Sequence, residues 1–398
     1  MRSSELRRRR FALSRLPLVW VPIACWTLAV AASFSSSSVP HVELRRVPEG
    51  GIQPQTAVDQ AGTVHLVYFK GDPSEGDLFY ARSTDGLTFS DPIRVNSVSG
   101  SAVAIGNIRG ARIAVGRRGH VYVAWNGSRK TADPARGRSP MLFTRLNDAG
   151  TAFEPERNVI GTAYGIDGGG GVAADQQARV YVFWHAPIPG HQGEDSRRVW
   201  MARSEDDGKT FEPERSVWDQ PTGACGCCSL TAFADTSGRL DVLFRSAQEV
   251  VHRDMYLLES KDHGQSFSGA DISKWNAGAC VMSSEAFASG PKGTVAAWET
   301  QKKVHFGFVH SDPANMTDSA VSSEGKNEKY PSLAVNRNGV VLLSWTEGMG
   351  WKRGGSVRWQ LIDNTGRSLG DAGGTDGVPA WSLVSAYPQN DGNFVVLY

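Results

Sequence analysis

Three cysteines within four residues, Cys225, Cys227 and Cys228, with a fourth at Cys280, form the densest group of reactive side chains in the sequence. Thiols in this number support two chemistries. In an oxidising compartment an even set pairs as disulfides; Cys280 has three potential partners, and a vicinal Cys227–Cys228 bond is also open. As thiolates, with Met282 and His185 nearby, the same four suit a soft metal, copper or zinc. Cys-x-Cys-Cys matches no familiar zinc-ribbon spacing, and no other cofactor is expected. Glu299 and Glu347 are a second candidate group, because a glycosidase needs two carboxyl groups about 5 to 9.5 Å apart.

Both groups depend on elements that repeat. Thr63–Phe69, Gly119–Trp125, Ala178–Trp184, Gly238–Phe244, Lys292–Trp298 and Gly339–Trp345 are six apolar, β-branched segments, each ending in an aromatic residue. A second short strand pattern precedes most of them, as at Thr56–Asp59 and Arg112–Val115, and a third follows, as at Leu78–Ala81 and Val199–Ala202. Six meanders with no helix-length segment between them predict an all-β array. Glu299 and Glu347 then occupy matching places in adjacent repeats. Lys70, Asn126, His185, Arg245 and Thr346 follow the other terminal aromatics. These polar residues predict a binding rim, with ordinary loop solvation as the plain alternative.

After the third strand comes a turn of recurring chemistry: Ser204-x-Asp206-x-Gly208-x-Thr210-Phe211 and Ser260-x-Asp262-x-Gly264-x-Ser266-Phe267. Shortened or altered copies lie at Ser83–Phe89 and Asn147–Phe153. An Asp carboxylate accepts N–H bonds across such a turn, and Gly supplies the positive φ that closes it. The pattern resembles the Asp-box (BNR) repeat of the sialidase-like, or neuraminidase, superfamily over roughly residues 51 to 373. The resemblance implies a six-bladed β-propeller of the sialidase type, with the Asp boxes on the face opposite the site. Trp381–Ser385 and Phe394–Tyr398 are expected to close the ring by completing the first blade.

The same resemblance implies site residues. Tyr330-Pro331-Ser332-Leu333 looks like the nucleophilic tyrosine segment, which a carboxylate such as Glu299 or Glu285 would activate. Arg245 would bind a substrate carboxylate, helped by Arg112, Arg253 and Arg353. Against these stand a tyrosine packed at the channel mouth and, for Arg245, an ion pair between blades with Asp254 or Glu299. The family's first arginine segment is replaced by Gln53-Pro54-Gln55, which counts against a true exo-sialidase.

Lys plus Arg number 42 against 41 Asp plus Glu, so no nucleic-acid partner is expected. Arg7–Arg10, the apolar run Leu16–Ala32 and the small residues Ala29 and Ala31 predict a signal peptide over residues 1–33, or an uncleaved membrane anchor. Residues 34–50 are read as a linker and first edge strand, and 51–398 as the propeller. The reading is of an exported protein, periplasmic, secreted or held outside the membrane, that binds or hydrolyses a glycan at the channel mouth. The alternatives are a non-catalytic scaffold for a cell-envelope partner and a metal or redox protein built on the cysteines.

Overall fold

A computed structural model describes residues 39–133, 138–321, 324–325 and 327–398. The expected signal or anchor segment, with Cys25, lies outside them. Among the described residues the structure is all-β, with only single turns of 3-10 helix, and no helix is long and apolar enough to cross a membrane.

The repeats fold as four-stranded antiparallel sheets, the blades of a propeller. The innermost strands are Ile52–Val58, Arg112–Val115, Gly171–Ala174, Leu230–Ala234, Glu285–Gly290 and Glu328–Val335 for blades 1 to 6. The blade count is seven, where six repeats predict six. Ser385–Pro388 and Phe394–Leu397 do not complete blade 1. They form the inner strands of a separate seventh sheet, whose outer strand is Val42–Arg45 from the other end of the chain. That strand pairs parallel to its neighbour, Val42 opposite Phe394 and Arg45 opposite Leu397. Each inner strand contacts the next, and that of blade 7 contacts that of blade 1, so the ring is closed. Closure covers an edge that would otherwise invite intermolecular pairing.

The alternation within each strand sends one set of apolar side chains to each neighbouring blade. The core is therefore a series of interblade layers. Val67, Phe69 and Leu78 of blade 1 meet Val121, Val123 and Trp125 of blade 2, and Val64, Leu66 and Tyr68 meet Tyr387, Val395 and Leu397 across the closure. The aromatics ending the second strands, Trp125, Trp184 and Trp298, are fully buried; truncating one to Ala would cost roughly 3–5 kcal/mol.

The Asp-containing turns couple consecutive blades. Asp206 accepts from the Thr210 N–H at 2.8 Å and from the Ser204 hydroxyl at 2.8 Å, while Gly208 takes φ 74°. Asp262 repeats the pattern with Ser266 and Ser260. The trailing Phe211 packs edge-on against Phe143 of the preceding blade, and Phe267 likewise against Phe183. These turns lie where the third strand ends, at the opposite end of the strands from Glu299 and Arg245.

Candidate functional site at the channel mouth

The inner strands of all seven blades line a central channel with a cavity of about 370 Å³, within the range of small-molecule sites. At its mouth the chain departs from regular strand geometry. Gln53 and Tyr330 both precede a proline, both have positive φ (52° each), and both sit at a register shift in the first strand of a blade. Met282 and Trp381, just ahead of the inner strands of blades 5 and 7, are also left-handed. Non-glycine residues held there cost of order 1–3 kcal/mol each and recur at binding sites.

Arg112 begins the inner strand of blade 2 and bonds to residues of two other blades. Its guanidinium donates to Gln55 Oε1 of blade 1 at 3.0 Å and to the Ser229 hydroxyl, beside blade 4, at 2.9 Å. Ser229 in turn donates to Glu285 Oε2, at the start of blade 5, at 3.0 Å. Burial, and then the neighbouring Cys228 thiolate, hold the Glu285 carboxyl well above the usual carboxylate range; Arg245, Ser229 and Arg112 pull the other way and do not prevail. Glu285 Oε1 and Arg112 Nε are buried without a protein hydrogen-bond partner. Tyr330 lines the same channel, 4% exposed. Burial, then the charges of Glu299 and Cys228, raise its phenol further, the opposite of what a nucleophile needs.

Most of the rim residues singled out by their position after the second strand turn inward and tie blades together. Arg245 is 1% exposed and donates to the Ser283 hydroxyl at 2.8 Å and to the main-chain carbonyls of Arg253 and Glu299, with its guanidinium over Trp275. It thus meets Glu299 through the backbone rather than the carboxylate. The Glu299 carboxylate pairs with Lys329 at 3.0 and 3.1 Å. Glu347 accepts from Trp345 Nε1 at 3.2 Å and lies 3.4 Å from Arg358, so the two glutamates have separate partners. Asn126 donates to the Gly168 carbonyl at 2.7 Å, and Lys70 pairs with Glu49 at 2.8 Å. Arg253 pairs with Glu194 at 2.6 Å, and Arg353 is exposed at a turn with Gly350.

His185 is fully committed as well. Its Nδ1 accepts from Arg197, at 3.1 and 3.2 Å, and its Nε2 donates to the Cys228 carbonyl at 2.9 Å. Burial and then the Arg197 charge bring it down to about 4, so it is neutral at pH 7. With both ring nitrogens engaged it is not placed to ligate a metal. Among the cysteines, Cys227 is bonded to Cys280, while Cys225 and Cys228 are buried and outside any disulfide.

Ser229, Gln55, Gln53 and Lys329 were not among the sequence-selected site residues. Their shared signal is position, at or beside the start of an inner strand. Gln53 is wired inward: its side-chain amide donates to the Ala104 and Trp381 carbonyls at 2.6 and 2.7 Å.

No family model matches this sequence, and no curated protein does. Solved structures do. An α-L-arabinanase of Penicillium chrysogenum, in complex with arabinobiose, superposes with a TM-score of 0.54 at 14% identity, over 83% of this chain and 99% of that one. The α-L-arabinofuranosidase Arb93A of Fusarium graminearum gives 0.54 at 11%, over 82% and 98%. A Dyadobacter fermentans protein of unknown function gives 0.53 at 14%, over 85% and 97%. Sialidases also align, with TM-scores below 0.5. At these identities the likeness is one of fold: a β-propeller.

Proposed function

We propose that the protein is an exported propeller that binds a glycan at the channel mouth, and that Arg112, Ser229 and Glu285 are the centre of its site. The carrying observation is the Arg112–Ser229–Glu285 chain itself, which draws side chains from three blades and leaves a buried carboxyl oxygen and a guanidinium N–H without protein partners. Such groups are costly to bury unless a ligand or an ordered water satisfies them, and here they face the channel. Arg112 suits a sugar carboxylate or a pair of hydroxyls, Glu285 offers a carboxyl whose ionisation burial opposes, and Tyr330 adds an aromatic ring. The similarity of the fold to arabinan-acting enzymes and the Asp-box resemblance to sialidases both support a carbohydrate as the ligand class.

Binding is favoured over hydrolysis by the carboxylate inventory. Of the residues lining the channel, Glu285 and Asp59 carry carboxyl groups. Asp59 follows the far end of its strand, four residues beyond Gln55 at the mouth, a span of roughly 13 Å. That exceeds the separation over which two carboxyls divide the work of glycoside cleavage.

The test is titration calorimetry of the full chain against arabino-oligosaccharides and sialosides, with Arg112→Met beside it. Saturable binding to a sugar, weakened at least tenfold by the substitution, supports the reading. Turnover of an aryl glycoside that depends on Glu285 would replace binding with catalysis, and no interaction with any sugar would sink the proposal.

A further inference from the structure

The four cysteines stand beside the glycan site but are not explained by it. Cys225 and Cys228 are completely buried, and their sulfurs lie 2.6 Å apart, much closer than two sulfurs in ordinary contact. Cys225 Sγ is also 3.6 Å from Cys227 Sγ, which carries the disulfide to Cys280. Cys227 is half-buried and Cys280 exposed. One dithiol therefore faces the interior, in contact with a disulfide whose far sulfur faces solvent. The loop is fixed from both sides: Gly226 N–H donates to Glu194 Oε1, Glu194 is paired with Arg253, and His185 holds the Cys228 carbonyl. Tetrahedral metal–thiolate bonds of about 2.3 Å would hold sulfurs roughly 3.7 Å apart, so a 2.6 Å pair is arranged for a sulfur–sulfur bond.

We infer that these cysteines form a thiol–disulfide relay, in which the buried Cys225/Cys228 pair exchanges electrons with an external disulfide through the surface pair Cys227/Cys280. The electrostatics agree. Burial works against ionisation of Cys228, but the Cys225 thiol donating to it, and then Arg245, bring it down to about 7; Cys225 is held protonated by the same contact. Cys228 is thus the base of the pair, and Cys225, whose sulfur touches Cys227, is the thiol it can deprotonate.

The relay balances internally. The Cys228 thiolate takes the Cys225 proton, and the Cys225 sulfur attacks Cys227 Sγ. The Cys227–Cys280 bond breaks with its electron pair on Cys280, which takes a proton from water. Cys228 then releases its proton to water and attacks Cys225, breaking the transient Cys225–Cys227 bond with the electron pair on Cys227. One disulfide has moved from the surface to the interior, with one thiol and one thiolate at each end of the sequence. The surface pair is restored when Cys227 and Cys280 give two electrons to an external disulfide, which leaves as two thiols.

The experiment uses the full chain carrying Cys25→Ser, with the four remaining cysteines brought to one disulfide and two thiols by titration with a dithiol. Iodoacetamide added without denaturant, followed by peptide mapping, should find label on Cys227 and Cys280 and a Cys225–Cys228 disulfide. The rate should not depend on protein concentration. Cys225→Ser should slow that labelling at least tenfold, and Cys228→Ser should trap a Cys225–Cys227 bond with Cys280 labelled. Oxidised glutathione added in place of iodoacetamide should re-form Cys227–Cys280 alongside Cys225–Cys228, leaving no free thiol among the four and releasing two glutathione thiols. The inference is overturned if the Cys227–Cys280 bond never opens while two thiols remain at Cys225 and Cys228. It is overturned equally if the four thiols become titratable only after a chelator removes copper or zinc.

Discussion

Arg112 and Glu285, three blades apart in the ring, meet at a single hydroxyl: Ser229 accepts from one at 2.9 Å and donates to the other at 3.0 Å. The arrangement keeps a cation and a carboxyl near each other without a direct ion pair, so burial governs the state of Glu285. A carboxyl whose folded pKa is raised weakens the fold as pH climbs above the ordinary carboxylate range, because the unfolded chain ionises first. Glu285→Gln cannot ionise. Its melting temperature should match the parent near pH 4 and exceed it by a degree or more at pH 8, followed by circular dichroism. An equal shift at both values would show that ionisation is not the cause.

His185 has the opposite dependence. Its folded pKa, about 4, lies below that of the unfolded chain, so the unfolded state takes up the proton first as pH falls. Stability is fully present above about pH 6.5 and should decline towards pH 4 by at most about 1.4 kcal/mol per pH unit from this group. Urea unfolding of His185→Gln should be less stable at pH 7 but flatter over that window.

Arg245 is predicted to be structural. Arg245→Lys forfeits the fork that spans Ser283 and the carbonyls of Arg253 and Glu299, at roughly 3 kcal/mol or more in denaturant unfolding. Where the variant remains folded, its sugar affinity should stay within about twofold of the parent, in contrast to Arg112→Met.

The closure strand can be tested by deleting residues 39–46. The deletion exposes the edge formed by Phe394–Leu397. It should lower the melting temperature and produce concentration-dependent association in light scattering. An unchanged, monomeric protein would mean that the parallel pairing contributes nothing.

Six of the seven blades were legible because each carries its own aromatic-terminated strand, and four of them an Asp turn. The seventh was not, because its strands come from opposite ends of the chain, and no local pattern records that Val42 belongs beside Phe394. At the proposed site, the repeat alignment points to the end of the strands where Arg112 and Glu285 lie, but to residues after the second strand rather than at the start of the first. Asn126, His185, Arg245 and Glu299 are polar because blades must be tied to one another, a demand that looks in sequence like a demand for ligand contact. Glu285 and Arg112 open inner strands and face the channel, and that distinction depends on pleat direction, which a register shift such as the one at Tyr330 can change.

The parallel seam of blade 7 also has a mechanical meaning. Val42–Arg45 and Phe394–Leu397 run side by side in the same direction, so tension applied between residue 39 and residue 398 pulls the two strands lengthwise past each other. Every rung of that ladder is then loaded at once. The antiparallel hairpin Ser385–Leu397 beside it would instead peel rung by rung if its own ends were drawn apart. The ring is thus fastened by a shear joint, and a propeller tethered at one end and pulled at the other should resist as a unit before any blade unravels.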